Sequence, residues 1–346
     1  MKEKEFRGYC LERRLDREAV DSAVAAVREL EEYLKIRGKT LESAAVGDVK
    51  EYVSLLISQN KNSADRLLAL ARYSSMTKKN DFYIYFASIL GGRNVLPTLS
   101  ERIAAMVGDE TRRRVFDGVE PPPLGSPPDE YPAVTRRVVE RLEGELSPKM
   151  CRRVLAGNMH KVPRENFKED REMFLKAKSI DDFLRDLHRK AVAELEKLMA
   201  EGRLFYEQEI TPQVVEFVRS NQEVLAGVRQ GDRIYLTKLP YAPKDYLNET
   251  DSKMKRYYAC HCPLARASIL EGKPDVSPTW CYCSGGYEKL LFDVIFDEDT
   301  EVEVLESALG GDLRCRFAVK IPKDKLTSSS CTRAEVSGSR QRLHES

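Results

Sequence analysis

The chain is short of several things, and each shortage excludes something. No apolar run approaches the length that crosses a bilayer, so an α-helical membrane protein is excluded. Net charge is only +1, from 57 basic and 56 acidic side chains. That balance argues against a protein whose main task is to coat nucleic acid or an anionic membrane. The opening Met1-Lys2-Glu3-Lys4-Glu5 lacks the apolar stretch of a secretory signal, so the expected location is the cytoplasm. Histidine is scarce, with four copies, and tryptophan occurs once. No nucleophile–base pair stands out along the sequence.

Cysteine is the exception to this sparseness. Six of the eight lie in the last third of the chain. Cys260 and Cys262 flank His261, Cys281 and Cys283 form a second Cys-x-Cys around Tyr282, and Cys315 follows on a segment that reads as a strand. Thiols at this density in a cytosolic chain point to a soft metal or redox chemistry rather than to disulfides. Zinc is the first expectation, because it accepts four soft ligands and needs no redox partner; an iron–sulfur cluster is the alternative. The plainer reading is a set of reduced thiols lining a core, where cysteine behaves as a small hydrophobe. On a strand His261 would point away from Cys260 and Cys262.

At 346 residues, with 42% hydrophobic and 33% charged side chains, the chain has material for two or three cores. Residues from about 10 to 117 read as a helical bundle. Val20, Val24, Val27, Leu30 and Leu34 share a helix face, a second helix starts near Asp48, Ser63 caps a third, and Phe82–Leu90 forms a fourth before Gly91-Gly92. The run Pro121-Pro122-Pro123-Leu124-Gly125-Ser126-Pro127-Pro128 cannot continue helix or sheet and reads as a linker. Helix signals return at Ser179, which is followed by Asp181 and Asp182, and at Thr211-Pro212. From Asp232 strands appear, at Arg233–Thr237 and Arg256–Cys260, then an amphipathic helix from Gly285-Gly286, then two strands around Gly310-Gly311. The expected fold is α+β: a bundle over 1–117, a Pro-rich linker over 118–132, a helical plus α/β Cys-rich domain over 133–325, and a disordered tail over 326–346 that includes Cys331.

The final hairpin sets up a specific test. With Gly310-Gly311 as a two-residue turn, Val302 pairs with Val319, Val304 with Phe317, and Glu306 with Cys315. A buried carboxylate needs a partner, and a metal ion shared with a thiolate is one. Tyr258, Trp280, Tyr282 and Tyr287, together with His261, are the candidate walls of a pocket for a flat ligand.

Residues Gly311-Asp312-Leu313-Arg314-Cys315-Arg316-Phe317 resemble the Gly-Asp-x-x-Cys-x-Phe ending of the 4-vinyl reductase domain family, and Cys283-Ser284-Gly285-Gly286-Tyr287 resembles the segment before that family's main helix. The related L-2-amino-thiazoline-4-carboxylic acid hydrolase group has a similar ending. The resemblance covers roughly residues 230–322. It implies an α/β small-molecule-binding domain, in some members a sensor with zinc held by cysteines and a glutamate. Carried over, Cys283, Cys315 and Glu306 are ligands, while Ser307 stands where a further cysteine is expected. The segment from Gly38 to Asp48-Val49, with Tyr52 and Val53, is similar to the SAM-like core-binding domain of phage-type tyrosine recombinases. That likeness implies a DNA or protein contact, although none of the histidines begins the His-x-x-Arg of those enzymes. Two functions are therefore expected: a ligand-binding or sensor module with a closed zinc site, or a metal-dependent hydrolase of a small heterocycle with Glu306 as acid, base or ligand.

Overall fold

The computed structural model describes residues 1–271 and 276–326. The tail, including Cys331, lies outside the described residues. The helices in chain order are α1 Glu3–Glu12, α2 Arg17–Ile36, α3 Val46–Ser58, α4 Ala64–Met76, α5 Asn80–Leu90, α6 Val95–Val107, α7 Asp109–Phe116 and α8 Tyr131–Glu145. They continue with α9 Pro148–Leu155, α10 Lys168–Lys176, α11 Ile180–Glu201, α12 Pro212–Arg219, α13 Pro243–Asn248, α14 Ser252–Ala259, α15 Tyr282–Phe296 and α16 Lys323–Leu326. The strands are β1 Val228–Gln230, β2 Arg233–Thr237, β3 Val302–Glu306 and β4 Arg316–Lys320, in one antiparallel sheet of order β1-β2-β4-β3. The fold is α+β, as the periodicities predict. No helix among the described residues is long and apolar enough to cross a membrane.

Several boundaries follow from local chemistry legible in the sequence. Ser63 and Ser179 cap α4 and α11, each accepting a backbone N–H three residues on. Thr211 does the same for α12, with Pro212 in its first turn. The segment Arg256–Cys260 is a correction. It belongs to α14, because the Asp251 side chain caps the first turn through the Met254 N–H and sets a helical frame before any strand pairing is available.

The Pro-rich segment does not separate the cores. A first core runs from Phe6 to Leu90. A second joins α6 and α7, through Leu99, Ile103 and Val115, to Val138, Trp280 and Phe317 from the far side of the prolines. The division therefore falls near Gly91-Gly92, not at 118–132. The prolines form a strap instead: Leu124 packs on the first core and its carbonyl accepts from Asn62 at 2.8 Å. Gly125 has φ +95°, and a Cβ there would stand 2.7 Å from Val53. A third core under the sheet brings Phe174, Phe183, Phe292 and Phe296 against Ile234 and Val319.

Helix α15 is the central element. On one side Gly285 faces Val302 and Phe317 of the sheet. On the other, Gly286 lies so near the turn after α9 that an added Cβ would stand 2.5 Å from the Gly157 carbonyl oxygen. The contact is with backbone, so no side chain can swing away. Gly286→Ala is expected to destabilise the protein by about 1–3 kcal/mol, read by urea denaturation. A change below about 0.5 kcal/mol would show that the approach is not tight.

Candidate thiol and cation site

Five cysteines arrive from three segments. Cys260 follows α14 and Cys262 lies two residues on. Cys281 ends a 3-10 turn over Pro278–Cys281, and Cys283 sits in the first turn of α15. Cys315 immediately precedes β4. All five pack in the second core with Trp280, whose indole Nε1 donates to Cys262 Sγ at 3.3 Å. They are free thiols, as are Cys10 and Cys151.

Burial pushes every one of these thiols above the ordinary cysteine value. Negative charge on their neighbours adds to the rise. Cys281 feels Cys315, Cys260 and Cys262, and Cys260 feels Cys262 and Cys315. Hydrogen bonds pull partly the other way, from Ser307 at Cys281 and from the Ala308 backbone at Cys315. Cys260, Cys262, Cys281 and Cys315 therefore form one electrostatically linked group, which Cys283 joins through Cys262. Among the described residues, no three His, Cys, Asp or Glu side chains stand together as a ready set of metal ligands.

Cys283 leans to the other side. Its Sγ lies 3.9 Å from His160 Nε2. His160 Nδ1 lies 3.1 Å from the Gly91 carbonyl, which fixes the proton on Nδ1 and leaves Nε2 to face the thiol. The His160 ring also meets Tyr287 edge-on at 5.7 Å between centroids.

Glu306 is the clearest correction. The expected pairs Val302–Val319 and Val304–Phe317 form, but the ladder shifts between Val304 and Glu306 and places Glu306 opposite Arg316. Residues 307–315 form a longer connection in place of a two-residue turn. In it Ser307 N–H donates to Asp312 at 2.8 Å, and Gly310 N–H donates to the Ser307 hydroxyl at 3.0 Å. The Glu306 carboxylate instead takes two bonds from Arg314, at 2.8 and 2.7 Å, which hold it below the usual carboxylate range. An irregular step of this kind re-aims side chains by one position, and the hydrophobic alternation gives no warning of it.

The expected pocket residues divide. Trp280 and Tyr282 are core, Tyr282 with Arg152 over its ring. Tyr258 lies near enough to Asp245 and Glu249 to feel their charge, and its ring meets that of Tyr257 at 5.9 Å between centroids. Tyr287 lies under the Lys238 ammonium, 4.8 Å from its ring centroid, and burial pushes its hydroxyl up to about 12. His261, on an irregular segment and not a strand, places Nε2 2.6 Å from the Leu239 carbonyl and its ring edge-on to Tyr241.

Lys238 and Arg266 are the groups that sequence reading missed. Lys238 comes directly after β2, with a side chain only 13% exposed. It pairs with Glu288 at 2.9 Å and Ser284 at 3.2 Å, and the Glu288 charge holds its pKa up against burial. Arg266 lies over the rings of Tyr241 at 3.9 Å and Tyr257 at 5.0 Å. Glu207, on the turn after α11, feels both cations, yet burial dominates and raises its pKa. For Arg266 a signal existed: a single charge inside Leu264-Ala265-Arg266-Ala267-Ser268-Ile269. Lys238 offered none. The basic run Arg112-Arg113-Arg114 pairs with Asp109 and Glu110 of its own helix.

One family model matches the chain, described as a family of unknown function (DUF6144), over residues 246–327. That minority of the chain holds all five clustered cysteines and Arg266. Searches of curated proteins and of solved structures returned no match.

His261 gives a pH test. Burial, the largest cause, and the nearby Lys238 hold its pKa well below the ordinary histidine value. A base depressed in the folded state contributes stability above the unfolded pKa of about 6.5 that is lost as pH falls towards the folded value. Stability should therefore decline below about pH 6.5, by up to about 1.4 kcal/mol per pH unit for this one proton. His261→Asn should flatten that slope in denaturation curves taken between pH 7 and 5. An unchanged slope would assign the acid sensitivity elsewhere.

Proposed function

We propose that the chain is a small-molecule-binding module in which a zinc ion, held by Cys260, Cys262, Cys281 and Cys315, ties the 260–266 segment and the 307–315 connection to the start of α15. The observation that carries the reading is the gathering of four thiols from three separate segments into one buried group whose ionised forms would repel one another. The donor chemistry fits: four soft sulfurs, reduced and unpaired, match what zinc takes in structural sites. No trio among the described residues is already set as ligands, so the proposal requires the sulfurs to come together when the ion is captured. A thiolate buried beside other thiolates is costly, and a divalent cation removes that cost. The ligand-binding half of the reading rests on the aromatic and cationic groups beside the thiols: His261, Tyr241, Tyr257, Tyr287, Lys238 and Arg266.

The hydrolase alternative loses its acid–base group, because Glu306 is engaged by Arg314. Cys283, next to His160, falls outside the proposed ligand set.

Elemental analysis of the purified full chain is expected to give about one zinc per molecule. Cys281→Ser should release it and lower stability by several kcal/mol, since a structural zinc contributes directly to folding. Cys283→Ser should keep it. A folded protein that carries no thiophilic metal after supplementation, with all four thiols reacting freely with a thiol reagent, would overturn the proposal.

A further inference from the structure

Among the described residues four charged side chains are buried: Asp48, Arg266, Lys289 and Asp293. Asp48 pairs with Lys39 at 2.5 Å, and Lys289 pairs with Asp293 at 2.6 Å. Asp293 also accepts the Thr300 N–H and hydroxyl. Arg266 differs. Its side chain belongs to a residue 8% exposed, and among the described residues no carboxylate stands within ion-pair distance of it. A buried guanidinium without a counter-ion is expensive to keep, and the cost falls when an anion arrives.

The surroundings specify what kind of anion. Tyr241 and Tyr257 pack on the guanidinium and the Tyr241 hydroxyl shares a hydrogen bond with it, while no carboxylate takes the rest of its fork of N–H donors among the described residues. That fork matches a carboxylate through two parallel bonds. The rings of Tyr241, Tyr257 and His261 favour a flat body attached to it. Lys238, whose charge reaches His261 and Glu207, adds positive potential but is itself held by Glu288. Glu207 faces both cations without touching either, and no hydrogen bond or ion pair engages it among the described residues.

We propose that Arg266 anchors the carboxylate of a small, planar acid that lies against Tyr241, Tyr257 and His261. The proposal rests on the reading of this domain as a small-molecule binder and names the class of ligand. Glu207, on its turn, is a competitor for the same cation. Loss of its charge favours the guest.

Sodium benzoate is the probe and benzamide its neutral counterpart, each titrated calorimetrically into the full-length protein at constant ionic strength. Benzoate is expected to bind at one site, and benzamide to bind at least about tenfold more weakly, the scale of one charge-assisted contact. Arg266→Met should weaken benzoate by about tenfold or more, Arg266→Lys should fall between because it keeps charge without the fork, and Glu207→Gln should tighten binding. If Arg266→Met does not fold, the Arg266 Nε–H resonance of the unmutated protein serves instead, and it must shift on benzoate addition. Equal binding of benzoate and benzamide, unaltered binding in a folded Arg266→Met, or no benzoate binding at millimolar concentration overturns the anchor. Failure of the zinc reading registers in metal content, whatever the titration gives. Zinc retained without benzoate binding rejects the anchor alone, and benzamide bound as well as benzoate rejects the anchor while leaving a small-molecule site.

Discussion

The close seating of α15 is the constraint on which the rest depends. Two adjacent glycines let one helix touch the sheet on one side and the backbone after α9 on the other. With side chains there, the helix would stand off by the width of a methyl group or more. Cys281 and Cys283 at its start would then be carried away from Cys260 and Cys315. His160, reached through the turn that Gly286 abuts, would lose both Cys283 and Tyr287. The thiols are thus gathered by steric permission at two positions and not by any attraction between themselves, which in the ionised state is repulsive.

That arrangement has an electrostatic cost, and the neighbourhood is organised to limit it. Positive charge is supplied from two directions, by Lys238 and Arg266, and both lower the thiol or imidazole pKa values around them. Burial opposes this and dominates, so the resting state is one of neutral thiols and neutral imidazoles. Such a site is quiet until something with charge of its own enters. The two guests proposed above, a cation among the sulfurs and an anion at the guanidinium, would be complementary, each of opposite sign to the charge it meets.

Much of the fold was legible in the sequence because the signals were local. The caps at Ser63, Ser179 and Thr211 act within three residues, and the alternation in β3 and β4 fixed their register up to Val304. What misled were features whose meaning is set at a distance. Arg256–Cys260 has strand-like residues, but the Asp251 cap decides first. The proline run is a local breaker, yet whether it divides cores depends on α6 and α7 packing past it. Of the site, the cysteine set was readable as a cluster. The partner of Glu306 was not, because a single irregular step exchanged Cys315 for Arg316. Lys238 and Glu288 are ordinary residues in sequence and acquire meaning only from facing each other.

The sheet order carries a consequence for how the molecule is made. β4 lies between β2 and β3, yet it is translated after both. Until residues 316–320 leave the ribosome, β3 has no partner and β2 has only β1, and the apolar faces of α10, α11 and α15 have no completed layer to cover them. The first core, closed by residue 90, can form during synthesis, while the thiol-bearing half waits for nearly its whole length. Assembly of that half is therefore late, and during the delay its cysteines are exposed to whichever metal or oxidant reaches them first.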